Sequence, residues 1–169
     1  DKNFSNYCAI IGILLSGNIW VPLSKSTPKK RNLEILHDLG AKILVTDHPI
    51  SISEIKNNRL QDLNIITPES IFECDTKIIP FPKINYQADH ISMIYYTSGS
   101  TGKPKGVMIK NKSFVNNISN IMNIVKPTKL RFIDLHDLSF VISIPIIFPC
   151  ILSRSQLFCA NSDLDILFP

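Results

Sequence analysis

One stretch of the sequence combines the residue types that suit anion binding. It runs from Tyr95 to Gly106, reads YYTSGSTGKPKG, and is followed by the apolar run VMI. Glycine and small residues let backbone N–H groups close around an anion, while the hydroxyls donate hydrogen bonds and the lysines add positive charge. The nucleoside-triphosphatase pattern G-x-x-x-x-G-K-[ST] does not fit, because Pro104 follows Gly102 and Lys103. The stretch therefore predicts a polyphosphate-binding loop of another kind, in preference to a Gly/Ser linker.

The composition is typical of a globular protein. Hydrophobic residues make up 44% and charged residues 19% of the 169 positions, and the net charge is +4. Basic residues are scattered apart from short clusters at 29–31 and 103–112, which argues against a nucleic-acid partner. The apolar runs at 7–15 and 138–152 are shorter than the roughly 18 residues that span a membrane. We therefore expect a cytoplasmic protein with no membrane partner and no signal peptide.

The cysteines indicate neither a metal site nor a disulfide framework. Cys8, Cys74, Cys150 and Cys159 are widely spaced and form no C-x-x-C pair. We expect buried thiols in a reducing compartment, and we assign no residue to a metal.

Hydrophobic patterning predicts helices that alternate with short strands. Thr27 and Pro28 predict the cap and first turn of a helix that Gly40 closes. Pro80 and Pro82 mark a connector between Pro68 and Asp89. The remaining predicted helices are an apolar one at the start of the chain and those at Ser51–Leu60, Lys112–Val125 and Ile144–Ser153; the predicted strands are AKILVTD, LNIIT, HISMIYYTS, GVMI, LRFI and QLFCA. This alternation predicts an α/β fold with a largely parallel sheet flanked by helices.

The stretch YYTSGSTGKPKG resembles the phosphate-binding core motif of the adenylate-forming superfamily and matches it at all twelve positions. The segment from Leu14 to Asn32, LLSGNIWVPLSKSTPKKRN, is similar to the preceding core motif of nonribosomal peptide synthetase adenylation domains, although Ser24 replaces its acidic residue. The resemblance covers nearly the whole chain and implies part of the large N-terminal domain of such an enzyme. Residues 1–169 are then expected to be an incomplete AMP-binding domain that lacks its start, its later motifs and its C-terminal subdomain.

The resemblance implies ATP-dependent activation of a carboxylic acid as an acyl-adenylate. Transfer to the thiol of coenzyme A or of a carrier protein's phosphopantetheine arm is expected to follow. The implied ATP phosphate contacts are Thr97, Ser98, Gly99, Ser100, Thr101, Gly102, Lys105 and Gly106, with Gly106 allowing the chain to turn away from the loop. Magnesium is expected as the charge partner, but the motif contains no acidic ligand for it.

The resemblance also implies a position for substrate selection. Arg131 to Ala160 aligns without a gap on a typical peptide-synthetase stretch, which places Phe140, Val141 and Ser143 in the substrate pocket. Val141 then replaces the aspartate that pairs with the α-ammonium group of amino-acid substrates. A buried ammonium without a counter-charge is costly, so we expect a keto, hydroxy, aryl or alkyl acid.

A second alignment places Asp137 at that position through the sequence HDLS, but it requires an insertion, and the gapless alignment is favoured. Arg154 stands where the family tends to have glycine, and the sequence offers no reason for it.

The chain contains none of the family's adenine, ribose, hinge or catalytic-lysine motifs, so no complete catalytic set is expected within it. The alternative interpretation is a non-catalytic nucleotide-binding remnant or a truncated fragment of a synthetase.

Overall fold

The computed structural model describes residues 2–47, 55, 60–67, 70, 83–98, 103–125 and 129–160. In these ranges the helices are α1 (Phe4–Leu15), α2 (Lys29–Asp38), α3 (Asn111–Val125) and α4 (Ile144–Leu152). The strands are β1 (Ile43–Val45), β2 (Asn64–Ile66), β3 (Ile91–Ser98), β4 (Pro104–Lys110), β5 (Arg131–Asp134) and β6 (Gln156–Cys159). A short 3-10 helix, Val141–Ser143, precedes α4. The mixed α/β class is confirmed.

The strands pair in both directions. β1 pairs with β2 and β5 with β6 in parallel, whereas β3 and β4 form an antiparallel hairpin. The prediction of a largely parallel sheet is therefore confirmed only in part. The reason is the length of the connections, because a parallel crossover needs about a dozen residues. Only 99–102 and Lys103 separate β3 from β4, while β5 and β6 are joined through α4.

The start of α2 differs from its prediction. Pro28 itself is the N-cap and makes no side-chain capping bond, so Thr27 is not the cap. Pro149 lies inside α4 as predicted, and α3 begins at Asn111, one residue early. The predicted helix at Ser51–Leu60 and the prolines of the connector lie mostly outside the described residues.

The main apolar cluster packs helices against β3. It contains buried side chains from α1, β3, α3 and α4 together with Trp20, namely Ile10, Trp20, Met93, Tyr95, Ile118 and Ile144. Trp20 is held against β3 by backbone hydrogen bonds, its N–H to Ser92 O at 3.0 Å and its carbonyl from Ile94 N at 3.1 Å. Its ring meets that of Tyr95 edge to face at 5.8 Å, a favourable aromatic geometry. A second cluster, Leu33, Leu36, Leu60 and Leu63, packs α2 near β1 and β2.

The cysteines in the described part of the chain, Cys8, Cys150 and Cys159, are free thiols. Cys150 is buried as predicted, Cys8 is half-buried and Cys159 is exposed, so the prediction of buried thiols holds for one of them. Cys74 lies outside the described residues. Within the described ranges, no helix is both long enough and apolar enough to cross a membrane.

The backbone conformation at the end of α4 explains why the family tends to have glycine at the position of Arg154. Arg154 N donates to Ile151 O and Ser155 N donates to Cys150 O, the paired bonds of a Schellman motif. The same pair closes α2, where Gly40 N donates to His37 O and Ala41 N to Leu36 O. Gly40 has φ of 56° and Arg154 has φ of 52°, both in the left-handed region that glycine tolerates best. The arginine therefore carries backbone strain that glycine relieves.

We predict that Arg154→Gly raises the free energy of unfolding by about 0.5–1 kcal/mol, because it relieves left-handed strain at the end of α4. The matched control is Gly40→Ala, since an added Cβ at Gly40 meets no atom within 4 Å and tests the backbone alone. This control should lower the free energy by a similar amount. Urea denaturation followed by circular dichroism measures both changes, and a destabilising Arg154→Gly would contradict the explanation.

Candidate functional site

The β3–β4 hairpin holds both ends of the predicted phosphate loop. Ser98 lies opposite Pro104, and Thr97 lies opposite Lys105 in the antiparallel register. Gly99, Ser100, Thr101 and Gly102, the middle of the predicted phosphate site, lie outside the described residues. The structure thus brings Thr97, Ser98, Lys105 and Gly106 together at one end of the hairpin.

Thr97 and Lys105 are available to a ligand at this end. Both residues are exposed, and among the described residues the Thr97 hydroxyl makes a long hydrogen bond, 3.5 Å, to the carbonyl of Lys105. A hydroxyl and an ammonium group are donors that suit phosphate oxygens. In the part of the chain that the structure describes, no group of three His, Cys, Asp or Glu side chains could hold a metal ion. The donors present therefore fit a polyphosphate anion, and no magnesium ligand is assigned.

Gly106 lies within β4, so the chain continues past it as a strand and does not turn away there as expected. The glycine is instead required by the side chains of β3 opposite it. A Cβ added at Gly106 would lie 2.9 Å from Ile94 Cγ2 and 3.3 Å from Tyr96 Cζ. The hydroxyl at that end of the Tyr96 ring donates to Asp38 Oδ2 at 2.7 Å.

The residues predicted for the substrate pocket differ in exposure. Phe140 and Val141 have 61% and 54% of their surface exposed, whereas Ser143 is fully buried. Ser143 donates through its hydroxyl to Phe140 O at 2.7 Å, which fixes the turn that leads into α4. Val141 begins the 3-10 helix at the exposed entrance to α4. The Ser143 side chain therefore lies inside the protein, unlike those of Phe140 and Val141.

Asp137, the alternative candidate, is engaged within the protein. Its carboxylate accepts hydrogen bonds from the Ser24 hydroxyl at 2.7 Å and from Ser139 N at 2.9 Å. Burial raises the pKa of Asp137, but the bonds from Ser24 and Ser139 outweigh it and hold the pKa below its ordinary value. Asp137 thus links its segment to the motif that contains Ser24. Sequence reasoning missed this pair because 113 positions separate the two residues.

A cavity of about 270 Å³ lies beside the hairpin. Residues of the three segments that the sequence motifs identify line it: the segment around Ser24, the end of β3 and the segment after β5. Its lining residues are Pro22, Leu23, Ser24, Ser26, Thr27, Pro28, Arg31, Asn32, Ile35, Tyr96 and Ser139. The sequence motifs located the segments, but no local pattern indicates that they enclose a common space.

Comparison with known proteins identifies much longer synthases and synthetases as relatives. The chain is 32% identical over 152 residues to bacitracin synthase 3 from Bacillus licheniformis, a match that covers 87% of this chain and 2% of the relative. It is 31% identical over 168 residues to cyclosporin synthetase simA from Tolypocladium inflatum, a match that covers 95% of this chain and 1% of the relative. The chain therefore spans only a few per cent of the length of these relatives.

Solved structures match the fold. o-Succinylbenzoate CoA synthetase (MenE) from Bacillus subtilis, in complex with the acyl-adenylate intermediate OSB-AMP, superposes with a TM-score of 0.76 at 20% identity. The match covers 98% of this chain and 43% of the MenE chain. The family model described as AMP-binding enzyme matches residues 4–168. Since that match covers almost the entire sequence, the chain belongs to the AMP-binding enzyme family.

Proposed function

We propose that the protein to which this chain belongs activates a carboxylic acid with ATP, forming an acyl-adenylate and pyrophosphate. The observation that carries the proposal is the full phosphate-loop motif in the sequence, whose two ends the β3–β4 hairpin holds, with Thr97 and Lys105 exposed at the loop end of that hairpin. Structures of MenE in complex with OSB-AMP and with ATP and a magnesium ion support the same chemistry in a protein of this fold. Residues 1–169 would supply part of the AMP-binding domain, because the chain spans only 43% of the MenE chain in the first complex.

The hairpin end would act on the leaving group. In the reaction the carboxylate attacks the α-phosphorus in line, and negative charge grows on the departing pyrophosphate. Donors fixed before the reaction stabilise that charge without reorganisation. Thr97, Ser98, Lys105, Gly106 and the loop residues 99–102 are the proposed contacts to the β- and γ-phosphates, with magnesium as the charge partner. The pairing of Thr97 with Lys105 fixes the spacing between the two ends of that loop.

The acid would lack a free α-amino group, because Val141 stands at the position that would require a negative charge. A keto, hydroxy, aryl or alkyl acid avoids an unpaired ammonium beside valine. The engagement of Asp137 by Ser24 and Ser139 supports this interpretation, since that carboxylate already accepts internal hydrogen bonds. The acceptor of the acyl group would be a carrier-protein phosphopantetheine or coenzyme A thiol.

The proposed reaction is tested by exchange of labelled pyrophosphate into ATP with a panel of amino, keto, hydroxy and aryl acids. The protein used must contain this chain within its complete domain. Exchange that depends on a non-amino acid is expected. ATP binding without exchange, for any acid in the panel, would instead identify a nucleotide-binding remnant.

For the phosphate site, we predict that Lys105→Ala lowers kcat/KM for ATP in this exchange by roughly 10- to 100-fold. The reason is that the substitution removes a hydrogen bond from a charged donor to the phosphates. The matched control is Lys110→Ala, at the other end of the same strand, where the lysine forms an ion pair with Asp89 at 2.9 Å. That variant should exchange at the wild-type rate. Equal effects of the two substitutions would show that Lys105 does not contact phosphate.

For substrate selection, we predict that Val141→Asp raises exchange with α-amino acids relative to the matching keto acids by about tenfold or more, because the carboxylate would pair with the ammonium group. Ile142→Asp is the matched control, since Ile142 has 47% of its surface exposed, close to Val141. The control should leave the ratio unchanged. Strong exchange of an ordinary amino acid by the unmodified protein would refute the proposed role of Val141.

A further inference from the structure

The hairpin end is anchored from both faces by adjacent tyrosines. Successive side chains of a strand point to opposite faces, so Tyr95 and Tyr96 contact different partners. Tyr95 is buried in the main cluster against Trp20. Tyr96 instead reaches α2, where its hydroxyl donates to Asp38 Oδ2 at 2.7 Å. One face is therefore held by apolar packing and the other by a hydrogen bond to a charged group.

The hydrogen-bonded end of the Tyr96 ring also lies against β4. Tyr96 Cζ, which carries the hydroxyl, lies 3.3 Å from the position a Cβ would take at Gly106. Tyr96 and Gly106 are cross-strand partners, and their neighbours Thr97 and Lys105 are the next pair toward the loop. The residue that contacts Asp38 is thus directly adjacent in the strand to Thr97, one of the two exposed donors of the proposed phosphate site.

Tyr96 also lines the cavity beside the hairpin. Arg31 and Ile35 of α2 line this cavity of about 270 Å³ together with Tyr96. The 2.7 Å hydrogen bond from Tyr96 to Asp38 fixes the distance and direction between the hairpin and the end of α2 beside this cavity. Burial raises the pKa of Tyr96, and the hydrogen bond to Asp38 and the charge of Asp38 raise it further, so the phenol remains a donor at neutral pH.

We propose that Asp38 is a positioning residue for ATP, which acts through the Tyr96 hydroxyl to hold the phosphate-loop end of the β3–β4 hairpin against α2. This inference rests on the proposed function, because it assigns Thr97 and Lys105 to the phosphates. Asp38 is not among the proposed contacts to ATP or to the acid. Its effect is to fix the hairpin end before ATP binds, so its loss should weaken ATP use while leaving use of the acid unchanged.

The test compares Tyr96→Phe, Asp38→Asn and the double variant in pyrophosphate exchange, within the complete domain. Each single variant should raise KM for ATP roughly three- to tenfold, while KM for the acid and kcat change less than about twofold. The double variant should have the same KM for ATP as each single variant, because both substitutions remove the same Tyr96–Asp38 hydrogen bond. Asp38→Glu, which keeps the carboxylate, should restore part of the affinity for ATP.

Tyr86→Phe is the matched control. Tyr86 also uses its hydroxyl in a 2.7 Å hydrogen bond, to Leu14 O, but it lies before β3 and outside the hairpin. This variant should keep the wild-type KM for ATP, and thermal unfolding of all variants detects a general loss of structure. The proposal is overturned if Tyr96→Phe behaves like Tyr86→Phe, or if KM for ATP and for the acid rise equally.

Direct titration of ATP by calorimetry separates this proposal from the proposed function. If the unmodified protein binds ATP but exchanges no pyrophosphate with any acid, the proposed activity fails. The positioning role is then judged by the Kd for ATP, which should rise roughly three- to tenfold in Tyr96→Phe and Asp38→Asn but not in Tyr86→Phe. If exchange proceeds, and if Tyr96→Phe and Asp38→Asn keep the wild-type KM and Kd for ATP, only the positioning role fails. Absence of ATP binding in the unmodified protein overturns both.

Discussion

The antiparallel pairing of β3 with β4 is the constraint on which the rest of the site depends. It places Ser98 opposite Pro104 and so fixes the two points between which the loop must close. A shift of the register by one residue would move every side chain to the other face of the hairpin. Tyr95 would then leave the apolar cluster, and Tyr96 would lose its hydrogen bond to Asp38 of α2. The packing of the core and the spacing of the two loop ends are therefore specified by the same pairing.

Trp20 extends this constraint to a second segment. Its backbone pairs in parallel with Met93, so the segment from Trp20 to Ser24 begins on the edge of β3 opposite β4. Ser24 then holds Asp137 through its hydroxyl. The three segments that the motifs identify are consequently linked in space by one backbone pairing and one side-chain bond. The cavity beside the hairpin is the space that these links leave between the segments.

Sequence reasoning identified what depends on local pattern and missed what depends on distant partners. The phosphate-loop motif, the helices around Leu36 and Ile118, and the α/β class follow from residue type and period. The antiparallel hairpin could have been inferred from the short connection between two strand-like runs. No local pattern announces the bond between Ser24 and Asp137. Arg154 was unexplained for a different reason, because the left-handed conformation belongs to the helix end and not to the residue that occupies it.

The two determinants of the proposed reaction have different structural freedom. The phosphate-loop end is fixed by strand pairing, by a glycine whose Cβ would lie 2.9 Å from Ile94 Cγ2, and by the bond to Asp38, so most substitutions there disturb packing. Val141 is exposed at the entrance to α4, where the fold is maintained by its buried neighbour Ser143. A change at Val141 therefore costs little stability. With the proposed roles, the fold would allow the choice of acid to vary while the phosphate-loop end stays constant.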